Sequence, residues 1–320
     1  MLDFQFYYTF DIYIFVLVKI DIMRKISALL LLLIVFACGP GKKSDEQAFL
    51  DSLDNLTLDA PMISDEVIAD IIQQVPSPLE ISYLLKDAGT QYDFNILNSP
   101  NNYTNYNSNF NKALNLGIYG TDLGYANIYE ENQDAILYLN SIKGLANDLN
   151  IGQFFDFGTI ARLATNSKNL DSLLLITTQN FNSINSYLQE NQRSNLSVLI
   201  LTGGWLEALH VTCQVANKNP GNEKLIEKIG EQKIILDNIK LMLEFYTKDP
   251  YIADLHKNIL ELEKAFAQIE IIYTYAEPTY EEVNGMLVSK SNSTTTINIS
   301  QENVDAIRQE VIKIREKIIS

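Results

Sequence analysis

The spacing of apolar residues along most of the chain is the feature that most restricts its fold. After Asp249 and Pro250, a pair typical of a helix start, apolar side chains recur every three or four residues and so share one helix face. The members of this stripe are Leu255, Ile259, Leu262, Phe266, Ile269 and Tyr273. Similar segments, opened by Ser, Asp or Pro and closed by Gly, fill most of the sequence and predict an all-α protein.

These patterns predict a multi-helix bundle of about nine to ten helices. Two short helices are expected after Ser64 and at the capping box "SPLE", 77–80. One segment differs, because "GMLVSKSNSTTTINIS" is rich in β-branched residues; taking "KSNS", 290–293, as a turn predicts a small β-hairpin near residues 284–299. The remaining predicted helices are 101–128, 131–148, 155–165, 168–190, 194–217, 222–247, 250–276 and 301–319.

The N-terminal region contains a segment typical of export signals. Arg24 and Lys25 precede the apolar run 26–37, and Cys38 follows it. The run is too short to cross about 30 Å of hydrocarbon, but it has the length of the apolar core of a signal peptide. Met23 stands directly before the two basic residues. We therefore expect 23–37 to be a lipoprotein signal peptide and 1–22 to be an extension from a misassigned start.

The residues Val35-Phe36-Ala37-Cys38 resemble the lipobox of bacterial lipoproteins, with an aliphatic residue at −3 and a small residue at −1. The resemblance implies that signal peptidase II cuts before Cys38, and that this cysteine carries a diacylglycerol and an N-acyl chain. No other cofactor is expected. The protein is then predicted to be attached to the outer membrane through this lipid, facing the periplasm or the cell surface.

The residues after Cys38 divide into an acidic tether, 38–62, and a region expected to form a single helical domain, 63–320. Within this region, "ALNLGIYGTDLGYANIY" at 113–129 and "VLILTGGWLEALHVT" at 198–212 look like an uncharacterised family of Bacteroidota lipoproteins. The resemblance covers roughly 70–275. It implies export and membrane anchoring, and it implies no activity.

The net charge of the chain, −16, limits its partners. An acidic protein is repelled by phosphate backbones, so a nucleic-acid partner is not expected. Anionic lipid repels it as well, and membrane attachment must therefore come from the acyl chains. With Cys38 lipidated, only Cys213 remains, and no intrachain disulfide is possible. The identity of a protein or small-molecule partner stays open.

Two strips of small residues predict a close helix crossing. Glycine in a helix interior costs up to about 1 kcal/mol, so several glycines in two predicted helices need a compensating gain. Close approach of two backbones would supply it, and we expect helices 101–128 and 194–217 to cross there, with Trp205 on one side. The strips consist of Gly117, Gly120 and Gly124 in the first helix, and of Gly203, Gly204 and Ala208 in the second.

An alternative interpretation places a ligand slot between the same two helices. Glu207 and His210 form one Glu-x-x-His step, whereas di-iron bundles use two such steps and two further glutamates, so no metal site is expected. Serine-hydrolase, zinc-protease and phosphate-loop motifs are absent from the sequence. Two hypotheses follow: a binding or scaffolding protein, or a periplasmic small-ligand-binding or metal-dependent helical protein, an enzyme among the possibilities, with a site between helices 101–128 and 194–217. The second would use residues drawn from Tyr119, Asp122, Tyr125, Trp205, Glu207 and His210.

Overall fold

The computed structural model describes residues 85–86, 89–164, 170–283 and 286–320, and all of them belong to one compact unit. Several sequence predictions fall outside these residues. They are the signal peptide 23–37, the lipidation site Cys38, the tether 38–62 and the two short helices expected after Ser64 and at 77–80.

Helices dominate the described residues, and the predicted fold class, an all-α bundle with a small hairpin, is confirmed. Short 3-10 turns at Phe94–Ile96, Pro100–Asn105 and Gly152–Phe154 connect the longer elements. Eight α-helices have their bounds within the described residues: α1 Asn109–Ile128, α2 Asn132–Asp148, α3 Phe157–Ala164, α4 Leu170–Glu190, α5 Ser194–Lys218, α6 Glu223–Phe245, α7 Pro250–Phe266 and α8 Gln301–Ile319.

Two of the predicted helices differ from the structure by more than two residues at one end. The predicted helix 101–128 begins later, at Asn109, because the hydroxyl of Ser108 accepts a hydrogen bond from the backbone N–H of Asn111 and caps α1. The predicted helix 250–276 ends at Phe266, and the residues beyond it form a strand. This segment is β-branched and aromatic, and its pairing with a second strand outweighs the helical spacing of Ile269 and Tyr273.

Helix α5 forms the centre of the fold and packs against α1, α4, α6 and α8. It is the one helix among the described residues that is long and apolar enough to span a membrane by length and composition. However, 94% of its most apolar window is buried inside the protein. A helix that is apolar on all sides and covered on all sides is a core helix.

Helices α1 and α5 contact each other through their backbones. A Cβ atom added at Gly117 would lie 1.9 Å from the carbonyl oxygen of Ile200, and one added at Gly203 would lie 2.0 Å from that of Leu114. The hydroxyl of Thr121 also donates to the carbonyl of Gly204 at 2.9 Å. The predicted crossing is therefore present, and Gly117 and Gly203 lie in direct contact at it.

Gly120 was wrongly assigned to this crossing, because a Cβ atom added there would meet no atom within 4 Å. At about 100° per residue, position 120 lies about 60° around the helix from Gly117 and misses α5. The other small residues of the two strips, Gly124, Gly204 and Ala208, are buried.

The β structure is a single interrupted hairpin, named here the β arm, 270–298. Strand β1 (Glu270–Thr274) pairs antiparallel with β4 (Thr294–Asn298), and β2 (Thr279–Val283) pairs antiparallel with β3 (Met286–Lys290). Four residues separate β1 from β2, whereas three separate β3 from β4, so the first side of the arm carries one extra residue, as in a β-bulge.

The predicted hairpin was thus too short, and its turn was misplaced. Residues 290–293 lie at the interruption of the arm, where the hydroxyl of Ser293 donates to the carbonyl of Ala276 and accepts from its N–H. Residues 284 and 285, between β2 and β3, lie outside the described residues.

The base of the β arm is attached to the helical body through α6. Ile271 and Ile297 are paired across the arm and lie half-buried against the core. A Cβ atom added at Gly230 of α6 would lie 2.6 Å from the side chain of Ile297. Glycine at this position therefore leaves room for the arm to dock.

Substitution of the glycines provides a test of the crossing. Gly203→Ala places a methyl group against a backbone oxygen that cannot move without displacing α1, so we expect a loss of about 1–3 kcal/mol. Gly120→Ala is the matched control, because its methyl group enters open space; it should stabilise by about 0.5–1 kcal/mol through helix propensity. Thermal unfolding measures both. A raised midpoint for Gly203→Ala would contradict the crossing.

Candidate functional site

Three helices and the segment before α1 bring six polar side chains together in the interior. We name this group the polar cluster. Helix α1 provides Asn115 and Asp122, α5 provides Glu207 and His210, and α8 provides Arg315, while Asn98 precedes the 3-10 turn at Pro100. All six residues are buried, and Asp122 and Glu207 have no exposed surface.

The strongest interaction in the cluster is a two-point ion pair between Arg315 and Glu207. The Nε atom of Arg315 donates to Glu207 Oε2 at 2.5 Å, and a terminal guanidinium nitrogen donates to Oε1 at 2.7 Å. Burial opposes ionisation of Glu207, but the guanidinium outweighs it and lowers the pKa of this carboxyl. Such a planar, doubly hydrogen-bonded pair is the geometry that arginine and carboxylate favour.

Arg315 was missed in the sequence analysis. Helix α8 is rich in charged residues, and its pattern predicts a helix over 301–319 without assigning any of its residues to a site. The sequence did contain an indication of its role, because Arg315 lies on the apolar stripe of this helix. Val311 precedes it by four residues and Ile318 follows it by three, so the three share one face. A charged residue on a buried stripe requires a buried partner.

Asp122 is held in its protonated form next to this ion pair. Burial raises its pKa well above the usual range, and the neighbouring charge of Glu207 raises it further. Oδ2 of Asp122 accepts a hydrogen bond from the backbone N–H of Asn98 at 3.3 Å, while Oδ1 has no donor. An oxygen without a partner is the one that can carry the proton, and the neighbouring charge of Glu207 favours the protonated form.

His210 is neutral in this environment. Burial, assisted by the charge of Arg315, lowers its pKa to about 4 against the opposing attraction of Glu207. Its Nε2 atom lies 3.0 Å from the carbonyl oxygen of Ile96, to which a neutral ring protonated at Nε2 donates. Nδ1 has no hydrogen-bond partner.

The charges of the polar cluster therefore cancel. Arg315 is positive, Glu207 is negative, and Asp122 and His210 are neutral. Within the residues that the structure describes, no three histidine, cysteine, aspartate or glutamate side chains are placed to hold a metal ion. Buried charges survive in a protein interior when they are paired and hydrogen-bonded, and the arrangement meets that condition.

Amide side chains connect the segment before α1, α1 itself and the end of α8. The Nδ2 group of Asn98 donates to Tyr106 at 3.0 Å and to Asn115 Oδ1 at 3.2 Å. The amide of Asn115 in turn donates to the carbonyl of Ile318 at 3.0 Å. These bonds join segments that lie far apart in the sequence.

The six residues predicted to line one slot lie in three environments. Asp122, Glu207 and His210 meet in the cluster, and Tyr119 borders it, with its hydroxyl donating to the carbonyl of Ser99 at 2.8 Å. Tyr125 lies elsewhere, stacked on Tyr92 with ring centroids 5.2 Å apart.

Trp205 also lies apart from the cluster. Its indole N–H donates to Gln232 Oε1 of α6 at 3.0 Å, so it faces α6. The predicted slot is thus corrected, because residues on one helix point to different neighbours around its circumference. The remaining thiol, that of Cys213, is fully buried, which raises its pKa to about 12 and keeps it protonated.

Comparison with known proteins adds no assignment. No protein-family model, no curated protein and no solved structure matches this chain. The resemblance to a Bacteroidota lipoprotein family stays a prediction from the sequence. Function must therefore be argued from the chain's own residues.

Asp122→Asn tests the protonation state of the cluster. The amide has the shape of the protonated acid, carries no charge, and can still accept the hydrogen bond from the backbone N–H of Asn98. Because the pKa of Asp122 is raised on folding, its contribution to stability is full below the ordinary pKa of 3.8 and is lost as pH rises toward the folded-state pKa. The variant has no such loss, so its stability relative to the wild type should increase with pH.

Urea unfolding at several pH values between about 5 and 8 measures this difference. Glu261→Gln is a suitable control, since it breaks only the exposed pair with Lys264 and should leave the pH profile unchanged. If the stability of Asp122→Asn relative to the wild type stays constant or falls as pH rises, Asp122 is ionised in the folded protein.

Proposed function

We propose that this chain is a lipid-anchored, exported helical protein that acts at the outer membrane by binding or scaffolding rather than by catalysis. The lipobox-like residues Val35–Cys38 support the anchoring. The polar cluster, the most polar part of the described interior, supports a role other than catalysis, because its charged groups are buried and paired. The proposal leaves the protein facing either the periplasm or the cell surface.

The observation that carries the proposal is the closure and neutrality of the polar cluster. A catalytic acid or base must reach the proton that it transfers, directly or through one water molecule. Asp122 and Glu207 have no exposed surface, His210 is 5% exposed, and the charge of Glu207 is taken up by Arg315. These groups hold helices together, and they leave no free base at the surface.

The alternative, a small-ligand or metal site between α1 and α5, has less support. Such a site needs space between the two helices, whereas their backbones touch at Gly117 and Gly203. It also needs side chains that are free to bind, whereas the cluster members bind one another. A binding role through the outer surface agrees better with this geometry.

In this proposal, the acyl chains on Cys38 attach the protein to the membrane. The chain is strongly acidic, so an anionic bilayer repels it. A cysteine carrying several acyl chains meets the two-signal requirement for stable anchoring, because each buried methylene contributes about 0.8 kcal/mol.

Labelling with radioactive palmitate tests the anchor. The wild type should incorporate the label and sediment with the outer membrane, whereas Cys38→Ala should be unlabelled and either soluble or stalled with its signal uncleaved. Cys213→Ala is the matched control, since it removes the other cysteine and should keep both label and location. Label retained in Cys38→Ala would overturn the anchoring.

A further inference from the structure

The β arm exposes more aromatic surface than its own folding explains. Beyond its base, Tyr273, Tyr275 and Tyr280 are 65%, 69% and 64% exposed, and Ile272 and Val288 are also exposed. A two-stranded hairpin by itself is marginally stable in water, and a third strand or a packed face is the usual remedy. Tyrosine is also enriched at the centre of protein interfaces.

The two edges of the arm differ in a way that selects one of them for pairing. The side formed by β1 and β2 contains Pro278 and the extra bulge residue, and all four glutamates of the arm lie on it. Proline, bulges and charges are the devices that keep a strand edge from pairing. The side formed by β3 and β4, 286–298, contains neither proline nor acid, and Lys290 is its one charged residue. A further strand can therefore add along β4.

Charge decides between the possible occupants of this edge. The arm carries four glutamates, Glu270, Glu277, Glu281 and Glu282, against Lys290, and the whole chain has a net charge of −16. A second copy brings the same negative charge and is repelled. A basic segment is attracted, and its lysine or arginine groups can lie over the exposed tyrosine rings in cation–π contacts.

We propose that the β arm binds an extended, lysine- or arginine-bearing segment of another protein, which adds as a third strand along β4. Its long cationic side chains reach the rings of Tyr273, Tyr275 and Tyr280 across the small residues of the intervening strands, because Thr295 lies opposite Tyr273 and Ser289 lies opposite Tyr280. This inference rests on the proposed binding role and names the class of partner. Backbone hydrogen bonds to β4 provide affinity in this mode, and side chains on alternate positions provide specificity.

A synthetic ten-residue peptide of alternating lysine and threonine is a direct probe of this mode. Fluorescence anisotropy with the full chain should show saturable binding that weakens with salt, and the same peptide with glutamate in place of lysine should not bind. Hydrogen exchange should become slower at the backbone amides of Thr294–Asn298 when the lysine peptide is present. Slowing elsewhere without slowing in β4 would overturn the proposal.

The combined variant Tyr273→Ser, Tyr275→Ser and Tyr280→Ser should weaken binding at least tenfold. Tyr251→Ser is the matched control, because Tyr251 is equally exposed at 65% but lies on α7, and it should bind as the wild type does. Equal affinity of the triple variant, equal binding of the glutamate peptide, or dimerisation of the free protein through the arm would contradict the proposal. If the wild-type chain does not bind the lysine peptide while Cys38 is palmitoylated, this inference alone is overturned. If the wild-type chain binds the peptide but incorporates no palmitate, only the anchoring is overturned.

Discussion

The pairing of Arg315 with Glu207 is the interaction on which the interior of this protein depends. It joins α8 to the central helix α5, with Glu207 fully buried and Arg315 only 7% exposed. Removing two charges from water costs several kcal/mol per ion, and only close, hydrogen-bonded geometry repays it. If it were ionised, the neighbouring Asp122 would add a second negative charge. Protonation of Asp122 avoids this charge. The cluster is thus tolerated in the interior because one cation faces one anion.

The contact between α1 and α5 explains why the carboxyl groups meet. Gly117 and Gly203 let the two backbones touch, and Asp122 and Glu207 follow these glycines by five and four residues, about one helical turn. Two larger residues at the crossing would separate the helices and move Asp122 away from Glu207. Packing at the glycines and electrostatics in the cluster therefore depend on each other. The same close contact leaves no slot between the helices, which is why a surface-binding role has more support than an internal site.

Much of the fold follows from local signals that the sequence contains. Helix starts such as Ser300, whose side chain caps α8, and the stripe Leu255–Phe266 depend on neighbouring residues, so spacing and capping predict them. The crossing of α1 and α5 could be predicted as well, because glycine in a helix interior is costly. The role of Gly120 could not be predicted so simply, since it depends on a rotation of about 60° around α1.

The errors arise where a residue's partner is distant in the sequence. Arg315 is separated from Glu207 by 108 residues, and no local pattern links them. The strand Glu270–Thr274 continues a helical apolar spacing and becomes a strand because it pairs with Thr294–Asn298. Tyr125 and Trp205 lie on the predicted helices, but Tyr125 packs against Tyr92 and Trp205 donates to Gln232, so neither lies in the polar cluster. The predicted site differs from the observed cluster because the cluster depends on contacts between residues distant in the sequence, which local helix and strand propensities do not reveal.

The central claim is that Arg315 requires one buried anion, which either Glu207 or Asp122 can provide. It is tested most directly by the free energy of unfolding of Glu207→Gln, measured with and without Asp122→Asn. In the single variant, Asp122 can release its proton and take over as counter-ion, so the loss should be partial. In the double variant, Arg315 has no buried anion, and a loss of about 3–5 kcal/mol is expected. Such non-additivity is the signature of a shared proton between the two sites. Equal losses for the single and the double variant would contradict the account.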